Sequence, residues 1–377
     1  MNKVLADQKL HCHECAQTVT LTPLAHKQKA HCPRCDLKLT SYHQYAIDII
    51  IACALTALIF LAAAIPFNFL GFNARGQEQS MDLLLSVSTL IEHDFFLLAL
   101  LQLLAIFAIP LIVLLGLLYL LLPLKLFNKP PAASAKVFNV VNALIPWSMA
   151  EIFLIGTLVS LVKLTAMADI QFGISFYAYV LFALFMTITL AYVDNHQLKQ
   201  ALGLNTKAKP PSQHSIQHTW ALLITALILY IPASFLPIMN TRLLGQDDPN
   251  TIMGGVVTLW QHGDYPIAMV IFIASVFIPI AKLAILIWLN ITVQKGHDTL
   301  HKERIVLYRI TEFIGRWSMI DVFVVAILVS LIQLGNTMSI YPGPAALAFS
   351  GVVITTMLAA NTFDSTLIWS NSHNKQQ

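Results

Sequence analysis

The chain has 377 residues, of which 57% are hydrophobic and only 11% charged, and its mean hydropathy is +0.71. Soluble domains carry about 25% charged and ~45–50% apolar residues, so this composition excludes a soluble enzyme, a disordered chain and a nucleic-acid-binding module. The net charge of +3 is too small to argue for a polyanionic partner, so the placement of the charges carries the information.

The first 45 residues contain no apolar run of the kind a secretory signal needs, which places the N-terminus in the cytosol. Four of the five cysteines lie there, in His11-Cys12-His13-Glu14-Cys15 and His31-Cys32-Pro33-Arg34-Cys35, two CxxC pairs with 16 residues between them. Each CxxC turn brings two thiolates to one metal, and two turns close a tetrahedral S₄ site of the kind zinc prefers. Residues 1–42 therefore read as a small zinc ribbon, with Cys12, Cys15, Cys32 and Cys35 holding one Zn²⁺. Iron is the alternative for the same ligands. Four cysteines leave no open position, so the site reads as structural; a redox dithiol usually needs one CxxC at a helix N-terminus. His11, His13 and His31 read as solvated loop residues. Cys53 reads as a small buried apolar residue.

Crossing ~30 Å of hydrocarbon takes about 20 apolar residues. Eight segments qualify: 46–66, 95–122, 138–165, 174–193, 219–239, 265–292, 310–334 and 345–363. The second is longer than a perpendicular span needs, which predicts tilt or a bend at Pro110; Pro279 sits at a comparable depth in the sixth. Loops on one side hold Lys3, Lys9, Lys27, Lys29, Arg34 and Lys38, then Lys125, Lys129, Lys136, Lys199, Lys207 and Lys209. Lys295, Lys302, Arg304, Arg309 and Lys375 follow on that side, against Arg75 and Arg242 on the other, a ratio of 17 to 2. The positive-inside rule puts both termini in the cytosol.

A shift of about 170 residues superimposes the two halves. WSMAEIFLIGTLVSLVKL at 147–164 meets WSMIDVFVVAILVSLIQL at 317–334, with nine of 18 positions identical. Pro66 meets Pro237, Pro110 meets Pro279, and Asp194 meets Asp364. The expected fold is an all-α polytopic membrane protein, its eight helices arranged as two parallel four-helix repeats. Each module has an even number of spans, so both insert the same way round. The modules cover 43–195 and 219–377, with 196–218 as a cytosolic linker.

Charges inside a span are costly and usually face a cavity or a partner. Glu151 and Asp321 each stand four residues after a tryptophan in the third helix of a module. Helical phase gathers Ser148, Glu151 and Lys163 on one face, and Ser318, Asp321 and Gln333 repeat that face. Lys282 lies well inside the sixth helix, where the first half has Val113. These residues are candidates for a polar strip lining a cavity between the modules. The Trp147 and Trp317 rings read as interfacial anchors. His93 with Asp94 and His262 with Asp264 read as turn or interface packing. No Walker A, GxSxG or HExxH motif occurs, so no catalytic residue is assigned.

A cysteine ribbon ahead of two four-helix modules, each with a WSM-[AI]-[ED]-[VI]-F motif in its third helix, resembles the paraquat-inducible protein A family over nearly the whole chain. Members often carry a second ribbon before the fifth helix. Here Asn205 to His218 reads NTKAKPPSQHSIQH, with no cysteine. The resemblance implies a non-enzymatic inner-membrane subunit of a bacterial envelope lipid-transport system. It would pass phospholipid to or from a periplasmic MCE-domain tunnel protein, with Ser148, Glu151, Ser318 and Asp321 lining the lipid's path. Two other readings compete. One is a solitary gradient-driven carrier for a small solute or drug, with Lys282 and Asp321 as an ion couple. The other is a membrane redox protein using the cysteines.

Overall fold

A computed structural model describes residues 9–21, 24–74, 77–92, 94–164, 169–204, 214–243, 246–263, 265–296, 300–331 and 338–370. In hydrocarbon every backbone polar group must find a partner within the chain, so long apolar runs become helices. Among the described residues, eight helical stretches are long and apolar enough to cross a membrane: 46–63, 96–127, 134–161, 174–192, 215–235, 268–294, 301–331 and 344–362. They coincide with the eight segments expected from hydropathy. The chain is mostly helical.

The N-terminal segment folds as two hairpins, β1 (Lys9–His11) with β2 (Thr18–Thr20) and β3 (Lys29–His31) with β4 (Lys38–Ser41). The first half continues through α1 (Ala46–Ala63), β5 (Leu70–Ala74), β6 (Gln77–Met81), α2 (Leu83–Glu92), α3 (Phe96–Leu103), α4 (Ile109–Phe127), α5 (Ser134–Leu144), α6 (Ala150–Leu164), β7 (Asp169–Phe172), α7 (Ile174–Tyr192) and α8 (Asn195–Ala201). The second half runs through α9 (Ser215–Phe235), β8 (Met239–Leu243), β9 (Gln246–Asn250), α10 (Ile252–Gln261), α11 (Tyr265–Phe272), α12 (Ile278–Gln294), α13 (His301–Trp317), α14 (Ile320–Leu331), β10 (Met338–Pro342), α15 (Pro344–Thr362) and α16 (Leu367–Ser370). The same series of elements thus occurs in each half.

The strands outside the ribbon were not anticipated. They make two antiparallel three-stranded sheets, ordered β6-β5-β7 and β9-β8-β10. Leu70 faces both Met81 and Phe172, and Met239 faces both Asn250 and Pro342. In each half the third strand enters between the third and fourth spans, so the sheet ties the first helix to the other two. These strands are only four or five residues long, so even where apolar and polar residues alternate, as in Asp169–Phe172, the run is too short for periodicity to mark a strand. Gly173 and Gly343 close the sheets. A Cβ at either would overlap a backbone carbonyl oxygen, of Asn68 or of Pro237 respectively.

The bends expected at the two prolines are π-turns. Leu104–Ala108 joins α3 to α4 and Ile273–Phe277 joins α11 to α12. The Ile109 N–H donates to Leu104 O and the Ile278 N–H to Ile273 O, five residues back rather than four. Pro110 and Pro279 follow immediately. A proline ring crowds the preceding turn and offers no N–H, and the wider turn makes room for it.

The third span of each half is interrupted. The first half leaves the helix at 145–149, where Ile145–Trp147 forms a single tight turn and Ser148 is extended. In the second, α13 and α14 are parted only by Ser318 and Met319. The inner pieces, α6 and α14, pack together at the centre, with Phe153 edge-on to Phe323 at 5.7 Å and Gly156 lying beneath Phe323. Every residue from Val322 to Leu331 is buried. The other side of α14 meets α2, where Ser330 Oγ donates to Ser86 O at 3.1 Å.

Candidate functional site

The four CxxC cysteines sit in the turns of the two hairpins, and the turns follow one plan. The Cys12 N–H donates to Gln17 O and the Cys32 N–H to Leu37 O, while Ala16 and Asp36 take positive φ. All four side chains are buried, and their sulfurs lie within 4.8 Å of one another. Cys12 and Cys35 approach to 3.5 Å, as do Cys15 and Cys32. A tetrahedral ion with bonds of about 2.3 Å needs sulfurs ~3.8 Å apart, so the set fits a metal ion. Burial pushes the Cys15 thiol well up and that of Cys35 up to about 12. Burial also raises Cys32, but the N–H groups of Cys35 and Arg34 outweigh it and lower that thiol. Thiols raised by burial favour deprotonation only with a cation present, which is the chemistry of a ligand rather than of a reactive thiolate.

The ribbon is clamped to both halves of the chain. On the second half, Arg309 of α13 donates through Nε to Glu14 Oε2 at 3.0 Å and through Nη2 to the Cys35 carbonyl at 2.9 Å. Arg34 stacks over Trp369 at 4.5 Å, and the cysteines pack in one cluster with Leu289, Ile305, Tyr308 and Ile368. On the first half, Asp194 caps α8 by accepting from the His196 and Gln197 N–H groups. The same carboxylate accepts from Thr40 Oγ1 at 3.0 Å and the Ser41 N–H at 2.8 Å. Gln197 Nε2 completes the joint at Ser41 O. Glu14 and Arg309 escaped the sequence reading because they lie 295 positions apart. The available signal was an acid inside a CxxC. Of the histidines beside the cysteines, His11 bonds Thr18 and His31 pairs with the neighbouring Asp36, as expected of surface loop residues. Cys53 is only half-buried on α1.

At the helix breaks the structure regroups the expected polar strip. Ser148 and Ser318 are buried but lie in the breaks, off the helices, so helical phase does not align them with Lys163. The Lys163 side chain, Gln333, His93, Asp264 and residues 205–213 of the linker lie outside the described residues. Glu151 and Asp321 begin α6 and α14, in the first turn after each break, where a carboxylate meets the helix dipole favourably. Ser148 Oγ, Ser318 Oγ and Glu151 Oε2 are buried without a hydrogen-bond partner among the described residues. So is the hydroxyl of Tyr179, which meets Phe153 edge-on at 5.4 Å and which nothing in the sequence sets apart from the other aromatics in its span. Unsatisfied buried polar atoms are rare and call for a water, ion or ligand. His262 bonds its own helix at Thr258 O, as turn packing requires.

A cavity of about 350 Å³ opens beside the first break. Ile145 and Pro146 of the first half form one wall, and Lys282, Arg309, Glu312 and Arg316 of the second half supply its charge. Lys282 is 3% exposed, and its Nζ has no hydrogen-bond partner among the described residues. Neither Ser318 nor Asp321 lines this cavity.

The family model for paraquat-inducible protein A matches residues 47–202 and again 216–373, once over each half. The chain belongs to the paraquat-inducible protein A family. Within it, the chain is 37% identical to the Intermembrane transport protein PqiA of Escherichia coli (strain K12), over 95% of this chain and 94% of that one. It is 26% identical to the Lipophilic envelope-spanning tunnel protein A of the same organism, over 95% of this chain and 90% of that protein. A Probable intermembrane transport protein of Haemophilus influenzae is also 26% identical, over 96% and 95%. No solved structure matches the chain.

Proposed function

We propose that this protein is a non-enzymatic, multi-pass inner-membrane subunit of a bacterial envelope transport system, passing phospholipid to or from a periplasmic MCE-domain tunnel protein. The observation that carries the reading is the 37% identity, end to end, with a protein named as an intermembrane transport protein. The structure supports it with a polar seam at the breaks in the third span of each half. Non-helical backbone is tolerated inside a bilayer where it lines a cavity or is buried in protein. Here two breaks place Ser148, Glu151, Ser318 and Asp321 near the α6–α14 contact between two halves of like fold. The halves are the two parallel repeats, and lipid moves along the seam between them. The 17-to-2 excess of cationic loop residues sets both termini in the cytosol.

Cys12, Cys15, Cys32 and Cys35 hold one structural Zn²⁺. The ion would fix the two hairpins, which are too small to own a core, and so keep Glu14 and the Cys35 carbonyl facing Arg309. Purification of the tagged protein from native membranes in mild detergent tests the reading. It expects a periplasmic MCE-domain protein and phospholipid in the eluate, and one zinc per chain. Recovery without that partner after membrane crosslinking would favour a solitary carrier.

A further inference from the structure

Three cations at the 350 Å³ cavity, Lys282, Arg309 and Arg316, face three carboxylates, Glu14, Glu151 and Glu312, but they are not joined one to one. Arg309 is held by Glu14. Arg316 lies within electrostatic reach of both Glu151 and Glu312. Lys282 is left with an Nζ that no described group bonds, in a side chain 97% buried. Its position is built rather than accidental. The amine rests against Gly315 of α13, where a Cβ would come within 2.8 Å of Nζ. A side chain at 315 would have to displace the amine.

A buried cation is costly unless an anion meets it. We propose that this cavity is a phosphate-binding site, with Lys282 Nζ as the donor at its closed end. The exposed residues Glu312, Phe313 and Asn361 form its mouth, while Lys282, Gly315 and Met357 are buried. Ligand pockets run from about 300 to 1,000 Å³, so the volume accepts a phosphate with its glycerol or ethanolamine substituent and excludes two acyl chains. The chains would stay outside, past Phe313. The phosphate could come from a phospholipid headgroup or from the free anion. The headgroup is the source that fits, and this step rests on the phospholipid reading above.

Full-length protein in neutral detergent, stripped of lipid, is offered phosphatidylglycerol, diacylglycerol of the same chains, or inorganic phosphate, and retention is read by native mass spectrometry. Wild type retains phosphatidylglycerol over diacylglycerol. Lys282→Met loses about tenfold of that preference, the size of one charge-assisted hydrogen bond, and Lys282→Arg keeps most of it. Lys282→Met is expected to melt no lower than wild type, because it removes an unpaired buried charge. Release of bound lipid by inorganic phosphate would support a phosphate site open to the soluble anion; no release would support recognition of the headgroup in its lipid. Equal retention of phosphatidylglycerol by wild type and Lys282→Met, or no preference over diacylglycerol, would overturn the site. Lipid transfer between vesicles separates the two ideas. Lys282-dependent retention without any transfer by the complex would overturn the transport reading and leave the site standing. Transfer with Lys282-independent retention would do the reverse.

Discussion

The two halves solve one packing problem in different ways. Where α4 meets α5, the glycine is on the long helix: Gly116 admits the side chain of Val141, and Val113, one turn earlier, is fully buried in the apolar core. Where α12 meets α13, the glycine is on the partner: Gly315 admits Lys282, which stands where Val113 stands in the first half. The first contact is closed and apolar, while the second is polar and opens on a cavity. The two halves share one series of elements, and the exchange of Val113 for Lys282 and the shift of the glycine put a buried lysine beside a cavity in the second. The outer ends differ too. Asp194 is fastened to the ribbon, whereas Asp364, its counterpart, accepts from Thr366 and donates its N–H to Ser215 at the start of α9.

Features shared by both halves should fail alike, and those are the largest effects. Gly173→Ala and Gly343→Ala each drive a Cβ into backbone, so both should abolish accumulation of folded protein, measured by fluorescence-detected size exclusion. If one half tolerates the change, the two sheets are not equivalent. Next comes the ribbon, which has no counterpart among the described residues of the second half. Cys32→Ser should lower bound metal from one ion per chain to near none by elemental analysis and expose residues 9–41 to protease. Bound metal should also fall as pH drops, because protons compete for the raised Cys15 and Cys35 thiols.

The glycine contrast is smaller and more specific. Gly116→Ala overlaps a branched side chain in a closed contact and should cost ~1–3 kcal/mol, the usual range for overpacking. Gly315→Ala meets only the mobile tip of Lys282, so its thermal midpoint should fall less. A larger loss for Gly315→Ala would contradict the comparison. The smallest effect belongs to Asp194→Ala, about 1 kcal/mol for a lost helix cap. It should free the ribbon to limited proteolysis, whereas Asp364→Ala should leave the ribbon protected.

Much of this was legible in the sequence, for identifiable reasons. Cysteine spacing is local, so the four-sulfur cluster could be read directly. Apolar length gave the eight spans, and the WSM repeat gave their register. Pro110 and Pro279 announced bends, though not that they would be π-turns. The breaks were harder. Pro146 marks the first, but nothing in Arg316-Trp317-Ser318-Met319 marks the second, and a continuous helix was assumed through Ser148. The third strands β7 and β10 join partners about 100 residues away, and Glu14 meets Arg309 across most of the chain. Such pairings depend on topology, which periodicity does not carry. Lys282 was visible as a charge in a span. Its meaning came only with Gly315 and the cavity.

The central claim is that phospholipid enters the seam between the halves. A photo-crosslinking residue placed at Ser318, which is 5% exposed, tests it in cells containing the intact complex, with Ile228 on the outer face of α9, 61% exposed, as the bilayer control. The account predicts phospholipid adducts at both positions by mass spectrometry, with those at 318 lost when the partner system is inactive. Adducts at 228 and none at 318 under any condition would contradict it.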